Sequence, residues 1–99
     1  MRRGTTPTHI FTVDIDLTDA SAVFITYSQL REVVLEKGMD DLTITPEEIS
    51  VKLTQEDTIA FHDEYDVEIQ IAAKFEDGSV IRSQIIRTDV QRILKDEVI

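Results

Sequence analysis

Tyr65-Asp66-Val67-Glu68-Ile69-Gln70-Ile71-Ala72-Ala73-Lys74-Phe75 is the stretch that decides the fold class of this chain. Tyr65, Val67, Ile69, Ile71, Ala73 and Phe75 alternate with Asp66, Glu68, Gln70, Ala72 and Lys74. A period of two places successive side chains on opposite faces of a pleated strand, and no single helix face collects these positions. The stretch predicts a long strand with one face in a core. Asp77-Gly78 after it predicts a tight reversal.

Upstream, the same period recurs. Phe11, Val13, Ile15 and Leu17 alternate with Thr12, Asp14 and Asp16, which predicts a strand over His9–Leu17. Pro7 precedes it, where a missing N–H costs no ladder bond. Asp19-Ala20-Ser21 supplies a turn, and Val23, Ile25 and Tyr27 predict a second strand over Ala22–Ser28. A third covers Glu32–Lys37, with Val33 and Leu35 on one face and Glu32, Val34 and Glu36 on the other. The short link between Tyr27 and Val33 makes these two a hairpin. Gly38-Met39-Asp40-Asp41 breaks the run, and a short piece follows at Leu42–Thr45. Thr45-Pro46-Glu47-Glu48 reads as a turn with Pro at its second position. Ile49, Val51 and Leu53 give a fifth strand.

Thr54 to Asp57 has the spacing of a capping box, so one helical turn is expected over Gln55–Ala60, with Phe61 turned into the core. The pattern does not place Ile59. His62-Asp63-Glu64 is a polar loop. After the reversal, a strand starts at Val80, but its parity is broken. Ile81 and Ile85 share one phase while Ile86, Thr88 and Val90 share the other, so a bulge or kink is expected near Arg82–Gln84. Val90, Ile93, Leu94 and Val98 fit a helical stripe and also an edge strand. The edge strand is the preferred reading of Arg92–Ile99. Seven or eight short strands with turns about every 8–12 residues predict an all-β antiparallel sandwich with one short helical turn, residues 1–99 forming a single domain. No repeat or linker interrupts it.

Composition narrows the function classes. The chain of 99 residues is 41% hydrophobic and 30% charged, which is globular rather than disordered. It has no cysteine, so disulfides, thiolate metal sites and thiol catalysis are excluded. Twenty acids against ten bases give a net charge of −10, which opposes nucleic acid as a partner and favours solubility or a basic partner. Arg2 and Arg3 are followed by no apolar stretch of the kind a secretory leader needs, and no segment is apolar for long enough to span a membrane.

Candidate chemistry is sparse. Asp14, Asp16 and Asp19 begin like a calcium loop, but no Gly follows at the sixth position and no Glu at the twelfth. By alternation Asp14 and Asp16 face solvent, where charges discourage edge pairing. Asp40-Asp41 and Glu47-Glu48 flank a turn without any sign of the burial that would split their pKa values. His9 and His62 are the only imidazoles, and His62 beside Asp63 and Glu64 is a weak metal-binding cluster at best. Gly4, Gly38 and Gly78 cannot make a phosphate loop, and no nucleophile motif is present. The expectation is a non-enzyme with no catalytic, cofactor-binding or metal residues and no cofactor. Arg82, Arg87, Arg92 and Lys95 concentrate base near one end of the chain, with Arg2 and Arg3 at the other. If the ends meet, the domain is electrostatically two-faced and suited to head-to-tail self-assembly; ordinary mixed surface charge is the plainer reading.

Five stretches also carry a resemblance. They are Met1-Arg2-Arg3-Gly4-Thr5-Thr6-Pro7-Thr8-His9, Thr26-Tyr27-Ser28-Gln29 with Val33-Val34-Leu35-Glu36-Lys37, the run Ile49 to Thr58, Val67-Glu68-Ile69-Gln70, and Val90 to Val98. Together, over nearly the whole chain, they resemble small phage and prophage structural-module proteins of gut Firmicutes. More distantly, the chain is similar to the N-terminal sandwich domain of upper-baseplate proteins from lactococcal phages. The resemblance implies an immunoglobulin-like sandwich and a structural or adaptor role in the tail or baseplate of a virion. It implies contacts with other phage structural proteins or with copies of itself, and synthesis in the bacterial cytoplasm. It carries no functional residues over. The sequence departs from the family at Gln29-Leu30-Arg31, where a polar hairpin tip such as Asn-Gly is expected.

Two other classes stand beside that reading. A carbohydrate-binding module would need aromatic platforms, but tryptophan is absent and alternation places both tyrosines near or in the core. An acidic inhibitor of a basic host protein, or a DNA mimic, would use the net charge directly. Exposed candidates for protein contact are Leu30, Met39, Ile93, Leu94, Val98 and Ile99.

Overall fold

The alternating stretch becomes the central strand of the larger of two sheets. A computed structural model describes residues 1–99. Its strands are β1 (Thr8–Thr12), β2 (Ala22–Gln29), β3 (Glu32–Lys37), β4 (Leu42–Ile44), β5 (Glu48–Lys52), β6 (Val67–Lys74), β7 (Val80–Arg82) and β8 (Ile86–Thr88). One helix, α1 (Gln55–Ile59), and a 3-10 turn at Met39–Asp41 complete it. The sheets have the orders β1-β5-β4 and β3-β2-β6-β7, with β8 also on β6, and every strand pairing is antiparallel.

One core joins the sheets. Ile49 and Val51 come from the smaller sheet, and Val23, Ile25, Tyr27, Val67, Ile69, Ile71 and Ala73 from the larger. Read in chain order, β1, β5 and β4 take the places of strands B, E and D of an immunoglobulin sandwich. In the same way β3, β2, β6 and β7–β8 take those of C′, C, F and G. The fold is therefore an all-β, immunoglobulin-like antiparallel sandwich. Arg2 adds one parallel bridge to Gln91, so the first residues lie beside the segment that follows β8.

The local reasons are visible. Thr54 caps α1: its hydroxyl accepts from the Asp57 N–H at 3.1 Å, and Asp57 Oδ2 accepts from the Thr54 N–H at 2.9 Å. The helix ends after one turn and delivers Phe61 to the core, fully buried. The Thr45–Glu48 turn is closed by the Thr45 N–H donating to the Glu48 carbonyl at 2.9 Å. At Asp77-Gly78 the reversal uses Gly78 at φ 89°, and Asp77 Oδ1 accepts from both the N–H and the hydroxyl of Ser79.

Several expected boundaries move. β1 stops at Thr12 rather than Leu17, because Asp16 Oδ1 takes the N–H and hydroxyl of Thr18 in a turn. Leu17 still reaches the core, but Ile15 is exposed. β6 starts at Val67, so Tyr65 lies in the preceding loop and is exposed instead of packed in the core. The pairing of β2 with β3 shifts register between Tyr27 and Ser28, and this bulge undoes the expected phase of β3: Leu35 is half-buried and Val33 exposed. The parity break after Val80 is real. β7 and β8 are separated at Ser83, whose N–H donates to the Ile71 carbonyl while its hydroxyl accepts from the Ile71 N–H. The tail Arg92–Ile99 forms no edge strand. It is held by side chains, with Gln55 bonded to the N–H and C=O of Ile99 and Arg3 paired with Asp96.

The β2–β3 loop has two residues, and both are left-handed: Leu30 at φ 51° and Arg31 at φ 65°. That is the type I′ geometry Asn-Gly adopts freely. A side chain there costs roughly 1–2 kcal/mol per residue. Replacing Leu30-Arg31 by Asn-Gly is expected to raise the unfolding free energy by about 1–2 kcal/mol. Urea unfolding of the two chains measures it, and an unchanged midpoint would show that the loop carries no such strain.

Candidate functional site

The polar groups singled out in the sequence do not converge. No group of three or more His, Asp or Glu side chains is arranged to hold a metal ion. Asp16 is occupied with Thr18, and that hydrogen bonding holds its carboxyl below the ordinary value. His62 and Tyr65 stack edge-on at 6.2 Å in the exposed loop before β6. His9, in contrast, points inward in phase with Phe11. Its Nδ1 lies 2.8 Å from the hydroxyl of fully buried Tyr27. Odd-numbered phase along β1 was the available signal for that contact. Burial raises the Tyr27 phenol well above its usual value, with Asp57 adding to the effect.

Burial lowers the His9 imidazole below 6.5, and the N-terminal ammonium adds to the effect. The unfolded chain then binds the proton more readily than the folded one, so His9 favours folding above pH 6.5 and this contribution is lost as pH falls from 6.5 through the depressed value. The melting temperature of the parent should fall over that window more steeply than that of His9→Gln. Parallel curves would remove His9 as the source.

The chain ends do meet, and three of the bases there, Arg2, Arg3 and Lys95, are engaged. Arg3 pairs with Asp96 at 2.9 Å and donates to the carbonyls of Phe61 and Ile59 at 2.6 and 2.8 Å. Arg2 donates to the Arg92 carbonyl, and Lys95 pairs with Glu97. Of the expected basic pole, Arg3, Arg87 and Lys95 are paired with acids, while Arg2, Arg82 and Arg92 have no acidic partner. Of the apolar contact candidates, Leu30, Leu94, Val98 and Ile99 are exposed, while Met39 and Ile93 are half-buried.

A second group of bases lies on the outer face of the larger sheet. Phe24, Thr26 and Ser28 of β2 share this face with Val33 and Glu36 of β3, and with Glu68, Gln70, Ala72 and Lys74 of β6. Val80 and Arg82 of β7, Arg87 of β8 and Ile85 between them complete it, with Arg31 at one corner. Its apolar members are open to solvent: Phe24 is 42% exposed, Val33 63% and Ile85 50%. Four of the ten bases (Arg31, Lys74, Arg82 and Arg87) stand here against two of the twenty acids, Glu36 and Glu68. The rest of the chain holds six bases and eighteen acids. Asp66 and Asp89 come only beyond the strand ends.

A second apolar surface is the cleft of about 780 Å³ between β1 and β7–β8, lined by Ile10, Phe11, Val13, Ile81 and Ile86. β1 is the edge of its sheet there, so its outward backbone groups are unpaired.

No protein-family model matches the chain, and no curated protein matches it. Among solved structures it is similar to the V domain of amphioxus IgVJ-C2, at 12% identity over 94% of this chain and 97% of that one, with a TM-score of 0.39.

Proposed function

We propose that this chain is a non-enzymatic structural or adaptor module of a phage particle, working through protein–protein contact. The outer face of the larger sheet carries the contact part of this reading. On a chain of net charge −10, a sheet face that exposes Phe24, Val33 and Ile85 among surplus arginines is suited to a macromolecular surface rather than to water. The strained Leu30-Arg31 tip agrees, since it offers an apolar side chain and a guanidinium at the corner of that face where Asn-Gly would fold more easily. The resemblance of the five quoted stretches to phage structural modules carries the particle. Phe24 is the single aromatic residue lining that face, so no paired aromatic platform there favours the carbohydrate reading.

Quantitative mass spectrometry of particles purified after phage induction tests it. The chain is expected at a fixed ratio to the major tail proteins. Its absence from intact particles overturns the proposal.

A further inference from the structure

On the outer sheet face one acid, Glu36, and three bases, Arg31, Lys74 and Arg82, have no ion-pair partner. Glu36, on β3, has no basic partner, and its Oε2 accepts only from the Thr26 hydroxyl at 3.2 Å. Arg82, on β7, has no acidic partner, whereas Arg87 is paired with Glu68 at 3.0 Å. The order β3-β2-β6-β7 puts Glu36 and Arg82 three strand spacings apart, about 14 Å, so they cannot meet within one chain.

We infer that this face binds the same face of a second copy, through a two-fold axis that runs along the strands between β2 and β6. Such an axis lays β2 on β6 of the second copy and β3 on its β7–β8 edge. Phe24 is level with Ala72, and Ala72 with Arg82, in the sheet register. The turn therefore sets Phe24 over Ala72, and Glu36, level with Thr26 and Gln70, meets Arg82 as a diagonal neighbour about 7 Å along the strand, each contact made twice. The apolar residues fill the centre and the charges form a rim. Two copies meeting through the remaining surface would oppose acid to acid, because it holds eighteen acids and six bases.

The area is sufficient for a reversible dimer. Four strands at about 4.8 Å and eight residues at about 3.3 Å give a flat face of about 500 Å². Two such faces bury about 1,000 Å², the lower end for a specific interface. Concentration-dependent association is therefore expected, not a permanent dimer.

This inference rests on reading the chain as a contact module, and its test separates the two. Sedimentation velocity of the full chain over a wide concentration range should show the mass rising from 11.3 kDa toward twice that value. Phe24→Glu and Glu36→Arg should each stay monomeric at concentrations where the parent is dimeric, with unchanged melting temperatures. Combining Glu36→Arg with Arg82→Glu should restore the dimer. A parent that stays monomeric throughout overturns the self-contact, as does a dimer that Phe24→Glu leaves intact. Failure of the double exchange to restore the dimer overturns the assigned orientation. A monomer found at fixed ratio in particles removes this inference and leaves the module standing. A dimer absent from particles does the reverse.

Discussion

Gln29→Leu will lower the unfolding free energy by about 3–5 kcal/mol, a large share of the roughly 5–15 kcal/mol that holds a domain folded. Gln29 ends β2 and is 4% exposed, one of two buried polar residues in the molecule. Its Nε2 donates to the carbonyls of His62 and Tyr65 at 2.7 and 2.9 Å, and its Oε1 accepts from the His62 N–H at 2.9 Å. One carboxamide thus satisfies three backbone groups of the loop that feeds β6. Leucine fills similar space but strands all three, and each buried unmatched group costs about 1–3 kcal/mol. Gln29→Glu separates hydrogen bonding from packing, because it keeps the shape and turns an acceptor toward two carbonyls. Both variants should lose stability in urea unfolding, and the His62 amide should exchange faster while β1–β5 amides keep their protection relative to global stability. A loss below about 1 kcal/mol in both would show that water replaces the carboxamide at little cost.

Gln29 also marks where pattern reading stops. Strand phase needs only neighbouring residues, so β2, β5 and β6, the capping box, the Asp77-Gly78 reversal and the kink before Ile86 were all legible. A polar residue at a hairpin end has no such signature. Its role depends on a loop 33 positions away. The same holds for Arg2 and Gln91, which bridge the two ends of the chain, and for β1, where the Asp16 turn overrides a clean alternation. The tail went wrong for a related reason: its apolar spacing fits two structures, and side-chain ties from Gln55 and Arg3 choose neither.

The candidate face was half legible. Phe24 sits between Val23 and Ile25, so parity alone opposes it to the core. Val33 was hidden, because a bulge between Tyr27 and Ser28 reverses the phase of the partner strand and no local residue announces it. The distribution of base could not be read at all. Arg31, Lys74, Arg82 and Arg87 are scattered in sequence and gather only when β6 lies between β2 and β7. The terminal arginines, adjacent in sequence and conspicuous, turn out to be the engaged ones.

Phe61→Ala is the second large effect, with an expected loss of about 3–5 kcal/mol. The reason begins at Thr54. Its capping box starts α1, and the single turn carries the chain from β5 in one sheet toward β6 in the other, leaving Phe61 at the crossing. Phe61 is fully buried, its ring centroid 5.9 Å from that of Tyr27 at a tilt of 58°. Truncation removes the ring from between the sheets. The gap cannot easily close, because the backbone on either side is pinned. Arg3 binds the carbonyls of Ile59 and Phe61, and the Thr58 hydroxyl donates to the Thr5 carbonyl at 2.8 Å. Phe61→Leu keeps most of the volume and should lose under about 1.5 kcal/mol. Urea unfolding of both variants measures the difference. Equal losses would mean that the site collapses around either side chain, and that the ring contributes by contact with Tyr27 rather than by filling the crossing.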